Sequence, residues 1–349
     1  MFETILMLMA MLSYQDMDCM TLDVKGAFLH ADVEKEAEGK IFLKPPEGLK
    51  IPAGYNVLKQ NKQLYGSPAG ARAWMLLAIS TLVGVGYKPT LDDACLLKRC
   101  ENEKLNKFSY VALYVDDMLL ISPPEYTKQI VKEMCEIFPI GSADELTCFL
   151  GMKIKRNRNE RTLQISMTKY IEDLLARYGY NDIRKRYMPA CPSHKVSKDD
   201  QPTDSKIIIA NQEFDYLGKC GALLHLTKVR PDIKFAVQRA CRFGHNPGKV
   251  HFQLVEWIFG YVSHTKDLVL TFGKKANRFA RPEYGITTST DIPFLKKRIK
   301  NMNKISTDNE GNLKLITYSD ADFASCIDTA TSTEGSVIFF NGGAIYAKA

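Results

Sequence analysis

The chain has 349 residues, 45% of them hydrophobic and 10% aromatic, which is enough for two or three domains with real cores and excludes disorder as the default. Its nine cysteines (Cys19, Cys95, Cys100, Cys135, Cys148, Cys191, Cys220, Cys241 and Cys326) form no C-x-x-C pair and have no paired histidines at zinc spacing, so they read as reduced packing residues of an intracellular protein. The net charge of +7 is unevenly spread: residues 1–150 carry 15 Lys+Arg against 20 Asp+Glu, and residues 151–349 carry 32 against 20. Solvated surface would account for this, as would an acidic, cation-binding half joined to a half that neutralises phosphates.

In chain order, the apolar run 5–12 follows Glu3, has no basic residues before it and meets Asp16 and Asp18, so it predicts a buried or amphipathic helix and not a signal sequence. A short strand at 21–24 runs into Lys25-Gly26-Ala27-Phe28. The charged stretch 32–40 leads to a strand at 41–43 that Pro45-Pro46 stops. Ser67-Pro68 reads as N-cap and first helical residue of a helix over 69–83, with Gly84 and Gly86 suited to its end. The apolar runs 110–115 and 118–122, with only Asp116-Asp117 between them, predict a β-hairpin. A helix near 126–137 follows Pro123-Pro124. Residues 148–154 then read as a strand that turns at 157–159 and returns at 162–166. Helices are expected over 169–178, 214–227, 231–243 and 248–264. Residues 276–312, with the basic cluster Lys296, Lys297, Arg298, Lys300 and Lys304, read as a linker or insertion, and strands resume at 313–318 and 336–340. No internal repeat is visible.

Two adjacent aspartates are an odd choice for a tight hairpin tip, which favours Asn-Gly or Asp-Gly and where like charges repel. An exposed acidic turn is one explanation. A divalent cation is the other, since Mg²⁺ takes hard oxygen ligands from one or two carboxylates and from substrate phosphates. Asp23, near the end of a separate apolar strand, offers a third carboxylate. Three carboxylates could hold two metals, one activating a 3′-hydroxyl and one steadying a triphosphate and its leaving oxygen.

Several ordered motifs carry a resemblance. Leu22-Asp23-Val24-Lys25-Gly26-Ala27-Phe28-Leu29, Ile41-Phe42-Leu43-Lys44-Pro45-Pro46-Glu47-Gly48, Leu64-Tyr65-Gly66, Arg72-Ala73-Trp74, Tyr114-Val115-Asp116-Asp117 and Phe149-Leu150-Gly151 come first. Tyr170-Ile171-Glu172-Asp173-Leu174-Leu175, Arg230-Pro231-Asp232-Ile233, Phe235-Ala236-Val237 and Tyr318-Ser319-Asp320-Ala321-Asp322 follow. In this order they resemble the reverse transcriptases of copia-type LTR retrotransposons over nearly the whole chain. The resemblance implies an α+β fold: a polymerase palm, with an antiparallel sheet backed by helices, then a helical thumb or connection and an incomplete RNase H-like domain. The implied divisions are 1–190 (palm, fingers largely missing), 191–275 (thumb and connection), 276–312 (linker) and 313–349 (RNase H-like segment).

By position, the resemblance makes Asp23, Asp116 and Asp117 the catalytic ligands of two Mg²⁺ ions, with Mn²⁺ able to substitute. It makes Phe28 the steric gate that excludes a ribose 2′-hydroxyl, where core packing is the alternative, and places Ala69 on the nucleotide-facing loop. Phe149, Leu150 and Gly151 become the primer grip, with Lys153, Lys155, Arg156, Arg158 and Arg161 a basic run beside it. Arg72 and Trp74 are expected to pack and place their helix. Asp320 matches the first metal-binding aspartate of RNase H, but without the remaining ligands no RNase H activity is expected. The implied partners are an RNA or DNA template with its primer, deoxynucleoside triphosphates and other Pol polyprotein domains, with no membrane. The implied location is the cytoplasm, in a virus-like particle, or the nucleus.

Some residues depart from the family pattern. Only 22 residues precede Asp23, so the fingers are expected to be missing. The family's Leu-Lys-Gln-Ala-Pro after Leu-Tyr-Gly is replaced by Ser67-Pro68-Ala69-Gly70-Ala71, and Ala69 cannot make a glutamine's hydrogen bonds. Phe323 stands where a tryptophan is expected, and Ile345-Tyr346-Ala347-Lys348 where the family has Ile-Ser-Trp-Lys. Two readings follow: an RNA-directed DNA polymerase from a truncated element copy, or a catalytically inactive relic or co-opted nucleic-acid-binding module.

Overall fold

The computed structural model describes residues 2–33, 41–52, 54–67, 69–191, 196–273, 315–321 and 328–348, except the side chains of 209 and 210. The expected linker at 276–312 and its basic cluster lie outside the described residues, as do Pro68, Asp322, Phe323, Cys326 and most of the charged stretch 32–40. The fold is α+β, and every strand pair described is antiparallel. The chain divides into two compact units, one formed mainly by residues 16–146 and the other by 6–15 with 147–349. Among the described residues no helix is long and apolar enough to cross a membrane.

Helix α1 (Phe2–Gln15) opens the chain. In the first unit follow β1 (Asp18–Val24), α2 (Ala27–His30), β2 (Phe42–Leu43), β3 (Leu58–Lys59), α3 (Gly70–Gly84), β4 (Lys88–Pro89), β5 (Leu96–Asn102), β6 (Lys107–Tyr114), β7 (Asp117–Ser122), α4 (Pro124–Ile137) and β8 (Ile140–Glu145). The main sheet has the order β4-β5-β6-β7-β1-β8. Alternation along a strand sends successive side chains to opposite faces. In β1, Leu22 and Val24 therefore turn to the core while Asp23 between them is exposed. Leu22 and Val24 join Val111, Leu113, Met118 and Leu120 of the sheet, Trp74, Ala78 and Leu82 of α3, and Ile130 and Met134 of α4 in one apolar cluster. Each fully buried valine, leucine, isoleucine or methionine among them contributes about 1.5–3 kcal/mol, so the two helices are held firmly under the strands that carry the aspartates. Strands β5 and β8 are not anticipated above. The β8 sequence Ile140-Gly141-Ser142-Ala143-Asp144-Glu145 is largely exposed and lacks apolar alternation, as an edge strand can.

The helix expected to be capped by Ser67 starts two residues late, with Ala69 at its N-cap and no side-chain cap bond. The Ser67 hydroxyl instead donates to the Leu64 carbonyl (2.8 Å) and to Gln63 Oε1 (3.1 Å), closing the preceding turn on itself.

The second unit contains β9 (Cys148–Phe149), β10 (Met152–Asn157), β11 (Thr162–Ser166), α5 (Thr168–Arg177), α6 (Ser205–Asn211), α7 (Tyr216–Leu226), α8 (Lys234–Cys241), α9 (Lys249–His264), β12 (Leu270–Gly273), β13 (Leu315–Ala321), β14 (Glu334–Phe340) and β15 (Gly343–Lys348). One sheet runs β12-β11-β10-β9 and another β13-β14-β15. The predicted hairpin at 148–166 is present, with Lys153 opposite Ser166. However, its first arm is two strands and not one. Leu150 (φ 51°) and Gly151 (φ 76°) form a turn with both central residues left-handed, which reverses the chain between Phe149 and Met152. The helix predicted over 231–243 is a 3₁₀ turn at Pro231–Ile233 followed by α8.

Polar contacts inside this unit tie segments that lie far apart in sequence. Helix α1 has no basic residue in its last turn. Arg156 Nη2 and Arg161 Nη1 donate to the carbonyls of Leu12 (3.3 Å) and Tyr14 (2.9 Å), covering groups that a helix end leaves unpaired. Asn341, buried and left-handed (φ 44°) between β14 and β15, donates to the Ala10 carbonyl and to Ser13 Oγ, both at 2.9 Å. Arg230, 3% exposed, binds both carboxylate oxygens of Asp232 at 2.9 and 2.7 Å and the carbonyl and hydroxyl of Thr265 at 2.9 and 2.7 Å. The Tyr261 hydroxyl donates to Asp232 as well, at 2.8 Å.

Candidate active site

The β6–β7 hairpin is present, but its turn is one residue earlier than the two aspartates imply. Tyr114 pairs with Asp117, so Val115 and Asp116 are the central turn residues and Asp117 begins β7. Val115 takes φ 57°, a left-handed conformation that a β-branched residue rarely adopts. The pattern is that of a turn whose first central position usually belongs to glycine.

This register sets two of the aspartates opposite each other. On the neighbouring strand Asp23 stands directly opposite Asp117, and opposed residues of an antiparallel pair project to the same face. Asp116 adjoins them on the turn. Partial burial, then the charges of Asp116 and Asp23, push the Asp117 carboxyl above its ordinary value, although it still reaches solvent. On the other side of β1, Asp23 pairs with Ser142 of β8, where the ladder shifts register before Ile140. Gly141 lies in that shift. A Cβ there would stand 2.9 Å from Lys25 Cε and 3.3 Å from Asp23 Oδ2, so the glycine leaves space for both side chains.

The buried indole of Trp74 on α3 donates from Nε1 to the Val115 carbonyl at 2.7 Å. Its ring meets Phe138 edge-on at 6.0 Å and His30 at 6.4 Å. Expected to pack and place its helix, Trp74 also bonds the turn that bears Asp116. A buried indole N–H needs a partner, and that requirement was the available signal in the sequence.

Phe28 is 6% exposed and lies in the core cluster. The half-exposed Tyr65 ring stacks on it, with centroids 4.5 Å apart and 24° between planes. Ala69 is exposed just before α3, and its carbonyl accepts from the Ala73 amide at 2.9 Å. Arg72 is exposed on the same helix. Phe149, Leu150 and Gly151 belong to the second unit, where Phe149 is buried and the other two form the β9–β10 turn. Asp320 is exposed on β13, and its Oδ1 accepts from the Ala321 amide at 3.0 Å.

Among the described residues no three His, Cys, Asp or Glu side chains converge closely enough to form a metal-holding group by themselves. The donor set nevertheless fits a divalent cation in kind. It offers hard carboxylate oxygens on opposed strands, and the repulsion at Asp117 is what a cation would relieve. Mg²⁺ generally uses one or two protein carboxylates and completes its shell from water and phosphate oxygens.

Residues 1–192 match the family model described as "Reverse transcriptase (RNA-dependent DNA polymerase)". The chain is 32% identical over 346 residues to the retrovirus-related Pol polyprotein from transposon TNT 1-94 of Nicotiana tabacum, covering 98% of this chain and 23% of that protein. It is 29% identical over 322 residues to the corresponding polyprotein from transposon RE1 of Arabidopsis thaliana, and 27% over 327 residues to that from transposon RE2 of the same plant. Each covers 91% of this chain and 18% of the relative. The chain thus spans less than a quarter of the length of these relatives. It belongs to the reverse transcriptase (RNA-dependent DNA polymerase) family and is similar to the Pol polyproteins of copia-type transposons.

Proposed function

We propose that the chain carries the palm of an RNA-directed DNA polymerase that extends a primer 3′-hydroxyl with deoxynucleotides. The register that sets Asp23 opposite Asp117, with Asp116 on the adjoining turn, carries this reading. Two Mg²⁺ ions, or Mn²⁺ in their place, would be held by Asp23, Asp116 and Asp117 together with substrate phosphates. They would supply activation of the 3′-hydroxyl and stabilisation of the charge that develops on the triphosphate. The protein's own part is positional: β1 and β7 present their carboxylates from rigid neighbouring strands.

Phe28 is read as the gate against a ribose 2′-hydroxyl, acting through the Phe28–Tyr65 stack because Phe28 itself is largely covered. Ala69 lines the nucleotide-facing loop, where it offers shape without a side-chain hydrogen bond. The β9–β10 turn at Phe149, Leu150 and Gly151 is read as the primer grip, and α5 to α9 as thumb and connection. The β13-β14-β15 sheet is read as an RNase H-like segment, with Asp320 at the position of its first metal-binding aspartate.

Primer extension on an RNA template with Mg²⁺ or Mn²⁺, comparing wild type with Asp116→Asn, tests the assignment. Extension that the substitution abolishes supports it. Salt-sensitive duplex binding without extension would leave a nucleic-acid-binding module in its place.

A further inference from the structure

The turn between β6 and β7 combines two features. Val115, a β-branched residue, is left-handed at φ 57°, a strained conformation that persists only where neighbouring structure enforces it. Its carbonyl also accepts a 2.7 Å hydrogen bond from the indole of Trp74, a side chain 1% exposed. The indole has little freedom to leave. It is wedged in the core with Phe138 at its edge, on a helix that buries Ala73, Ala78 and Leu82 as well. A donor fixed in the core therefore holds the peptide plane between Val115 and Asp116, and that plane determines how Asp116 leaves the turn and where Asp117 enters β7.

We infer that Trp74 is a positioning residue: by holding the Val115 carbonyl it keeps the strained turn in the conformation that presents Asp116 and Asp117 beside Asp23. It touches no substrate and acts only through the backbone of residue 115. The consequence for cation binding rests on the polymerase reading above. The consequence for the turn itself does not.

The test uses the full chain and four proteins: wild type, Trp74→Phe, Val115→Gly and the double variant. Phenylalanine keeps an aromatic ring in the core and removes the donor. Glycine adopts positive φ without strain and should make the turn independent of the indole. The first measurement, amide hydrogen exchange over residues 110–120, requires no metal. Trp74→Phe should exchange about tenfold faster there, the effect of one lost hydrogen bond, while Val115→Gly/Trp74→Phe should differ from Val115→Gly by less than about threefold. The second measurement is Mn²⁺ affinity by electron paramagnetic resonance, with Asp117→Asn as reference. Trp74→Phe should bind about tenfold more weakly than wild type, and the glycine background should remove most of that difference.

Exchange in the turn that Trp74→Phe leaves unchanged, or changes equally in both backgrounds, overturns the inference. If exchange responds as expected but wild type has no Asp117-dependent Mn²⁺ site, the cation reading fails and the control of the turn by Trp74 stands.

Discussion

Replacing Arg230 by methionine should destabilise the second unit by about 3 kcal/mol. The substitution keeps an apolar stem of similar length and removes four hydrogen bonds, two to Asp232 and two to Thr265. Asp232 then retains only the Tyr261 hydroxyl among its side-chain partners described above. Removing one member of a buried ion pair costs about 3–5 kcal/mol. Here 34% of the Asp232 side chain remains exposed, against 3% of Arg230, so solvent compensates part of the loss and the lower figure applies. Urea unfolding followed by Trp257 fluorescence in a Trp74→Phe background reports this unit alone, because the chain has two tryptophans. With a urea dependence of about 2 kcal/mol per molar, the midpoint should fall by about 1.5 M. The double substitution Arg230→Met/Asp232→Leu should recover more than half of that, since an apolar pair needs no charge compensation. The pH dependence has a definite sign. Burial alone would raise the Asp232 carboxyl, but the Arg230 hydrogen bonds and charge and the Tyr261 hydroxyl outweigh it and hold it below its ordinary value. This stabilisation is present above the unfolded value of about 3.9 and is lost as pH falls through the folded one. The gap between wild type and Arg230→Met should therefore close in acid. A midpoint shift under about 0.3 M, or a double variant no better than the single, would refute the reasoning.

Asp117→Asn should abolish primer extension yet raise the melting temperature at pH 7, by the equivalent of a few tenths to about 1 kcal/mol, because it removes like charges on opposed strands. The Asp117 carboxyl is raised in the folded state, so its contribution is favourable in acid and is lost as pH rises through the folded value. Melting curves should converge below about pH 4, and a variant less stable than wild type at neutral pH would contradict this. Lys219 is 7% exposed, with its ammonium 3.5 Å from the centre of the Phe214 ring and 5.3 and 5.4 Å from those of Tyr178 and Tyr180. Burial lowers its pKa against the opposing charges of Asp215 and Glu256. Methionine at this position should be neutral or stabilising at pH 7, with its advantage shrinking as pH rises through the depressed folded value; thermal melts at pH 7 and 10 measure both. Phe28→Ala should cost about 3 kcal/mol in chemical denaturation, since the ring fills the core and supports Tyr65. A less disruptive Phe28→Leu should admit more ribonucleotide during extension, and unchanged selectivity would remove Phe28 from the gate.

Much of the architecture was legible wherever one period dominated locally. The runs flanking Asp116 predicted a hairpin because two apolar strands with almost nothing between them have few other solutions. Its turn was misplaced by one residue because Val115 looks like a strand residue. What overrides its preference is the indole of Trp74, 41 residues earlier in sequence. The turn at Leu150 and Gly151 was hidden for a similar reason, since leucine gives no indication of a left-handed backbone. Strand β8 escaped because an exposed edge strand need not alternate. The basic run is legible in sequence only as a cluster beside the expected primer grip, but Arg156 and Arg161 meet carbonyls of a helix more than 140 residues away, a relation no local window contains. The three aspartates were identifiable by residue type and order, while their pairing across β1 and β7 depended on register. Register is decided by which face of each strand the core accepts.

The hydrogen bonds from Asn341 to Ala10 and Ser13 join positions separated by 331 and 328 residues. At roughly 5–20 residues per second, a ribosome needs on the order of tens of seconds to deliver the later partner. Through that interval helix α1 has been synthesised, with its apolar residues Leu6, Leu8, Met9 and Leu12 awaiting the core that will bury them. The second unit is thus discontinuous in time as well as in sequence. Its first helix meets Arg156 and Arg161 well before it receives the Asn341 hydrogen bonds, so a nascent chain halted before Asn341 should lack the last of the polar ties that hold α1.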